Sequence, residues 1–287
     1  MRSKYSYSHV IVAAIACFAS VSCISAQPKL ADQVQLHGQW QPGGSIIGSA
    51  PAGSKIYLND VQIATLPDGR FVFGFGRDEQ AVQRIAVEHG EQTWSKQFNL
   101  QAREYSIQRV NGIAKTIMHP SAKAIARSSK EAGQVKAART RQLSIDSFTQ
   151  DFICPAKGPI TGVYGSQRVY NGVAGRPHYG LDIAGPVGTP VYAPAAGVVT
   201  LNHPDMFYSG GTLILDHGLG FSSTMIHLSE IVVEEGDSVD QGELVAYMGA
   251  SGRATGPHLD WRINWFSERL DPALLDFAVG SACDEQT

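Results

Sequence analysis

Two stretches of this chain are written in short alternating hydrophobic runs, each closed by glycine, proline, asparagine or aspartate. From Leu30 to about Gln108 the runs are QVQLHGQW, SKIYLNDVQIAT, RFVFGFG, QRIAVEHG and TWSKQFNL, broken at Asn59-Asp60, Pro67-Asp68-Gly69 and His89-Gly90. Alternation places every second side chain on one face of a strand, and the turn residues stop each run before a helix could form. The expectation is a small antiparallel β-sandwich over residues 27–108. Strands return after Phe152 as GPITGVYGS, PVYAPAAGVVTLN, GTLILDHG, FSSTMIHL, ELVAYMGASG and PHLDWRINWF. No long amphipathic pattern interrupts them, so residues 152–287 read as a second, mostly antiparallel β domain.

Between the two lies PSAKAIARSSKEAGQVKAARTRQL, of different character. Alanines with Ile125 and Val135 at helical spacing, many Lys and Arg, and Glu131 as the sole acid predict a basic helical linker over residues 109–151. It reads as a solvated connector, weakened in its middle by Gly133.

The first residues run from a basic start through the apolar stretch Val10 to Val21 into small residues before Gln27 and Pro28. That layout predicts a secretory signal over residues 1–26, too short for a comfortable membrane span. Export places the protein in the periplasm or cell envelope, with no membrane span in the mature form. Of 23 basic residues the signal takes Arg2 and Lys4 and none of the 26 acids, leaving 21 basic residues in the mature chain. That acidic balance gives no reason to expect a nucleic-acid partner. Of the four cysteines, Cys154 and Cys283 lie outside the signal, and an even count in an oxidising compartment predicts a disulfide.

The chemistry concentrates in the second β domain. In RPHYGLDIA, His178 and Asp182 are four residues apart, an even spacing that shares a face if the segment is extended. In GPHLDWRINW, His258 and Asp260 share a face for the same reason. Imidazole nitrogen and carboxylate oxygen are what zinc accepts, commonly from three protein ligands at a catalytic site. Taken singly, each pair has the spacing of an ordinary hydrogen-bonded His and Asp, and His227 in STMIHLSEI has that of an ordinary histidine. Their joint order is more specific.

Over roughly Ile153 to Leu275, GSQRVYNGVAGRPHYGLDIAGPVGTPVYAPAAGVV, LILDHGLGFSSTMIHLSEI and EEGDSVDQGELVAYMGASGRATGPHLDWRI resemble the lysostaphin or LytM-type zinc endopeptidases of bacterial cell walls. The resemblance implies an all-β protein: an N-terminal Ig-like β-sandwich and a C-terminal LytM-type antiparallel β peptidase domain, joined by the basic helical linker. It implies Zn2+ held by His178 and Asp182, His227 and His258 as catalytic residues, and Asp260 where the family has a histidine ligand. The implied substrate is the peptide stems of peptidoglycan, cut at their cross-links.

A carboxylate oxygen reaches about as far from Cβ as the near nitrogen of imidazole, so Asp260 can ligate in histidine's place. One histidine with two carboxylates would leave the zinc site formally neutral, and a less positive site acidifies water less. Asp260 could instead hold His258 from behind, with His217 or water completing the metal shell. A catalytically degenerate LytM-like domain that regulates a cell-wall amidase, or only binds peptidoglycan, is the alternative function. The segment EEGDSVDQGELVAYMG also resembles the turn of biotinyl or lipoyl carriers, but no lysine follows Lys157 to carry such a group.

Overall fold

The computed structural model describes residues 28–110 and 121–283; the expected signal lies outside the described residues. Strand residues outnumber helical ones, 43% to 11%, and the fold is all-β as expected. A short helix α1 (Leu30–Gln33) leads into β1 (Gln35–Gly38), β2 (Ser45–Ser49), β3 (Lys55–Leu58), β4 (Val61–Ile63), β5 (Arg70–Gly74), β6 (Val82–His89) and β7 (Gln92–Asn99). These form two antiparallel sheets, ordered β1-β2-β5 and β4-β3-β6-β7. The alternation read from the sequence closes them over one core: Ile46, Ile56, Phe71, Phe73, Ile85 and Val87 are fully buried, and Trp40 stacks on Phe98 at 4.0 Å.

Strand β5 departs from that alternation, because every residue after Arg70 is buried. Its two faces meet two cores. Phe71 and Phe73 enter the sandwich, while Val72 joins Leu66 and Leu270 in the core of the C-terminal part. Gly74 lies so close to Leu270 that a Cβ there would stand 2.5 Å from its Cδ1, which explains the glycine at the end of RFVFG. The contact is tied further by Asp271 N–H donating to Gly43 O (2.8 Å) and by the Arg103–Asp271 ion pair.

Next come β8 (Ile107–Val110), α2 (Ala122–Arg139), β9 (Ile160–Gly162), β10 (Gln167–Tyr170), β11 (Val173–Ala174), β12 (Leu181–Ala184), β13 (Pro190–Tyr192), β14 (Gly197–Met206), β15 (Gly210–Gly218), β16 (Phe221–Ile231), β17 (Ser238–Val239), β18 (Leu244–Met248), β19 (His258–Trp265) and β20 (Glu268–Leu270). A large sheet runs β17-β14-β15-β16-β19-β12-β9, with β18 carrying β13 beside β16 and β20 beside β19. Strand β8 pairs in parallel with β10 in a separate small sheet.

The basic segment forms the expected helix, but it is not a solvated connector. Ser121 caps α2 by accepting from Ala124 N–H (3.2 Å), and Val135 and Ala138 pack on Leu201, Met206 and Ile214. Glu131 and Arg139 are buried with them. The composition is strongly basic, yet Arg139 is buried with its Nη2 donating to Thr224 Oγ1, and Arg127 reaches Asp205. Gly133 is tolerated within the helix, where nothing lies within 4 Å of the space its missing side chain would fill. At the far end, Cys154 and Cys283 stand at bonding distance, S–S 2.05 Å, closing a span of 129 residues. No helix among the described residues is long and apolar enough to cross a membrane.

Candidate metal and catalytic site

Strand pairing assembles the site. Asp182 on β12 and Asp260 on β19 are direct partners across the antiparallel ladder, and Asp260 is also opposite Ile226 on β16. Directly opposite residues project on the same face, so the register alone brings the two carboxylates together. His258, two residues before Asp260 in β19, follows on that face by strand alternation, as expected.

His178 arrives differently. Strand β12 begins only at Leu181, and a bend at Gly180 separates it from His178, so one continuous extended run does not join His178 to Asp182. The histidine is anchored by its own N–H to Ser166 O and by Gly165 N–H to its carbonyl, both 2.8 Å. Two glycines make room for the carboxylates. A Cβ at Gly180 would fall 2.0 Å from Asp260 Oδ1, and one at Gly162 2.1 Å from Asp182 Oδ2.

His178 Nε2 and Asp182 Oδ1 are 3.2 Å apart and buried, and neither makes a hydrogen bond. Two buried polar atoms that face one another without a hydrogen bond between them are costly, and a cation seated against both would remove that cost. Ligand atoms of His178, Asp182 and Asp260 all lie within 4.8 Å of one another. One imidazole and two carboxylates are a donor set that zinc accepts, so the residues fit the metal. Burial works against a charge on His178, but the Asp182 and Asp260 carboxylates outweigh it and hold its pKa above the ordinary range.

Sequence reasoning missed Arg262. It stands two residues beyond Asp260 on the same strand and face, donating from Nε to Asp260 Oδ1 (2.9 Å) and from Nη2 to Oδ2 (2.5 Å). Asp260 is 2% exposed. Burial opposes its charge, yet the Arg262 guanidinium more than offsets this and keeps the carboxyl below the usual carboxylate range. A bidentate guanidinium leaves each oxygen a further lone pair, so ligation and the ion pair are compatible. The charge expectation needs correction: with Arg262 counted, the groups around the cradle carry one net negative charge, the same as two imidazoles and one carboxylate. The D-x-R spacing is visible in the sequence, but spacing alone does not show that the arginine holds the carboxylate from behind.

The two other histidines lie side by side, ring centroids 4.8 Å apart. His258 Nδ1 meets Gly256 O and His227 Nδ1 meets Ser251 O, each at 2.8 Å. A carbonyl only accepts, so in each ring Nδ1 carries the hydrogen and Nε2 is left with its lone pair. His258 Nε2 is 3.9 Å from Asp182 Oδ1, at the edge of the cradle. His227 sits at φ +65°, where the pairing of β16 with β15 shifts register, and its N–H donates to Ser209 O. That irregularity re-aims a side chain that regular alternation would not deliver. Burial lowers the His227 pKa, with Ser251 O and Asp260 pulling the other way.

His217 is not part of this cluster. It is fully buried, with Nδ1 2.8 Å from Ala196 O and Nε2 2.8 Å from Ser223 Oγ, so it has no nitrogen left for a metal. His203 accepts from Asp205 N–H (3.1 Å) on the exposed part of β14.

An antiparallel β domain that presents a His/Asp/Asp cradle with two histidines beside it has the layout of a metal-dependent hydrolase. Residues 176–272 match the model of peptidase family M23. The peptidoglycan DD-endopeptidase ShyA of Vibrio cholerae is 43% identical over 89 residues, which cover 30% of this chain and 20% of that protein. ShyB of the same organism, also a peptidoglycan DD-endopeptidase, is 33% identical over 137 residues, covering 47% and 29%. The matches thus span less than a third of those relatives' length. The crystal structure of a candidate M23 peptidase from Pseudomonas aeruginosa superposes with a TM-score of 0.64 at 28% identity, over 82% of this chain and 94% of that one.

Proposed function

We propose that the protein is a zinc metalloendopeptidase that hydrolyses the peptide cross-links of peptidoglycan, with Zn2+ held by His178, Asp182 and Asp260. The observation that carries this reading is the pair of buried atoms, His178 Nε2 and Asp182 Oδ1, facing one another without a hydrogen bond beside Asp260. The M23 match over the same residues and the names of the two Vibrio relatives support the substrate class. Neither name points to an amidase partner.

Bound in this cradle, Zn2+ supplies Lewis acidity to a carbonyl oxygen and to a water. The chain's own residues do the rest. Asp182 and Asp260 orient the donor set, and Arg262 fixes the second carboxylate. His258 Nε2, unprotonated and at the cradle's edge, takes the water proton and returns it to the leaving nitrogen. In the neutral ring His227 Nε2 accepts rather than donates, which suits it to orienting the water or the leaving N–H. It can donate to an oxyanion only after gaining a proton.

The same reading includes export under a signal over residues 1–26, a sandwich over 27–108, a linker over 109–151, a peptidase domain over 152–287 and a disulfide formed in the periplasm or cell envelope. In a Gram-negative host the bond cut would be the D-alanyl to meso-diaminopimelate link. The test is to load the purified chain with zinc and follow cross-linked muropeptides by liquid chromatography. Dimers should convert to monomers, and chelation should stop it. An unchanged profile with zinc bound would overturn the proposal.

A further inference from the structure

Between α2 and the sheet lies a half-open cleft of about 430 Å³, lined on the sheet side by Thr224 and Ile226 of β16, Arg262 of β19 and Arg269 of β20. Thr224 and Ile226 are the direct partners of Arg262 and Asp260 across the β16–β19 ladder. The cleft therefore opens on the same face as the metal cradle, and Arg262 stands between the two.

Its charge is out of balance. Arg139, at the end of α2, lines the cleft and is 8% exposed, yet it makes one hydrogen bond, from Nη2 to Thr224 Oγ1 (2.8 Å). Its Nε is buried without a partner. Arg269 lies over the Tyr179 ring at 4.7 Å and meets no carboxylate among the described residues. Arg262 is committed to Asp260. The one acid lining the cleft, Glu131, is held by Arg127 Nε (2.7 Å) and Phe207 N–H (2.9 Å). Burial, together with the charges of Arg269 and Arg262, pulls Arg139 down to about 9.

A buried guanidinium does not readily shed its proton, so an unpaired one calls for an anion. The hydroxyl of Thr224, which accepts from Arg139, keeps its own proton to donate, and Met206 and Ile226 supply an aliphatic wall. That combination suits a carboxylate on an aliphatic body better than a bare inorganic ion.

We propose that this cleft is a carboxylate-binding subsite, in which Arg139 and Arg269 receive a free carboxylate of the peptide substrate while the scissile bond lies across the adjacent cradle. The assignment rests on the peptidase reading above, so its test is arranged to fail separately. Metal-free protein, full chain, is titrated calorimetrically with a cell-wall tetrapeptide stem, with the same peptide carrying amidated carboxylates, and with inorganic phosphate. The free acid should bind about tenfold or more tightly than the amide, and more tightly than phosphate.

Arg139→Met and Arg269→Met should each erase most of that preference. Arg269, packed on Tyr179 at the cleft wall, supplies the second variant should Arg139→Met unfold, and circular dichroism checks both. Equal affinity for acid and amide, phosphate binding as tight as the peptide, or an intact preference in folded Arg269→Met would each overturn the subsite. Discrimination in the metal-free protein with no cleavage in the zinc-loaded protein would leave the subsite standing and remove the peptidase reading.

Discussion

Asp260 answers to two neighbours, the cradle in front and Arg262 behind, and that double tie governs what its substitution does. Asp260→Ala should sharply lower the zinc bound per chain, measured by mass spectrometry of metal content after dialysis. Asp260→His is expected to restore zinc only partly, because it leaves Arg262 as an unpaired buried cation beside a dication. Adding Arg262→Leu should recover more of it, a coupling that a double-mutant cycle reads directly. His258→Ala should leave zinc in place while cleavage falls by a factor of about 100 to 10000. The five residues that the family resemblance pointed to lie together in the fold, and that much was legible in the sequence. Arg262 was not singled out: alternation puts it on the face of Asp260, but only the folded strand shows its guanidinium turned back onto that carboxylate. Nor could the register of β12 on β19 be read from either segment alone.

Strand β15 is buried along its whole length and carries two groups with opposed responses to acid. His217 is pulled down to about 4 by burial, against the Ala196 carbonyl, so its unfolded form binds the proton first. Its stabilisation is full above pH 6.5 and is lost as pH falls through about 4, about 3 kcal/mol in all. Asp216 is pushed up to about 6 by burial, against the Gly218 N–H and Arg141. Its contribution is full below pH 3.8 and is lost as pH rises through about 6, a change of similar size and opposite sign. Between about pH 4 and 6 the two largely cancel. Asp216→Asn should therefore make stability fall more steeply as pH drops from 6.5 to 4, followed by urea unfolding; an unchanged slope refutes the pairing. At this scale the sequence disclosed strands and turns well, because period-two patterning is local. It disclosed α2 as a helix but not as a packed one. Burial of Arg139 and Glu131 depends on the sheet they meet, and composition alone suggested solvent.

Across the molecule, β5 decides how the two cores hold together, while the disulfide closes the C-terminal part on itself. Cys154 and Cys283 close a long loop, worth about 5 kcal/mol in the chain-entropy model. Cys283→Ser should lower the melting temperature of oxidised protein, and reductant should then have little further effect. Val72 and Phe73 sit in different cores on one strand, so calorimetry of the whole chain should show one unfolding transition. Leu270→Ala, which opens a cavity where that strand meets the second core, should cost about 2 to 5 kcal/mol and shift the whole transition. Two separate melts would contradict the shared strand. The sequence implied two independent β units because each segment alternates on its own; a strand with both faces buried differs from a half-exposed one by very few residues. A strand held in common also removes the hinge. A polymer touching both the sandwich and the cleft would meet them at one fixed separation, so the N-terminal layer would act as a spacing gauge rather than as a swinging arm.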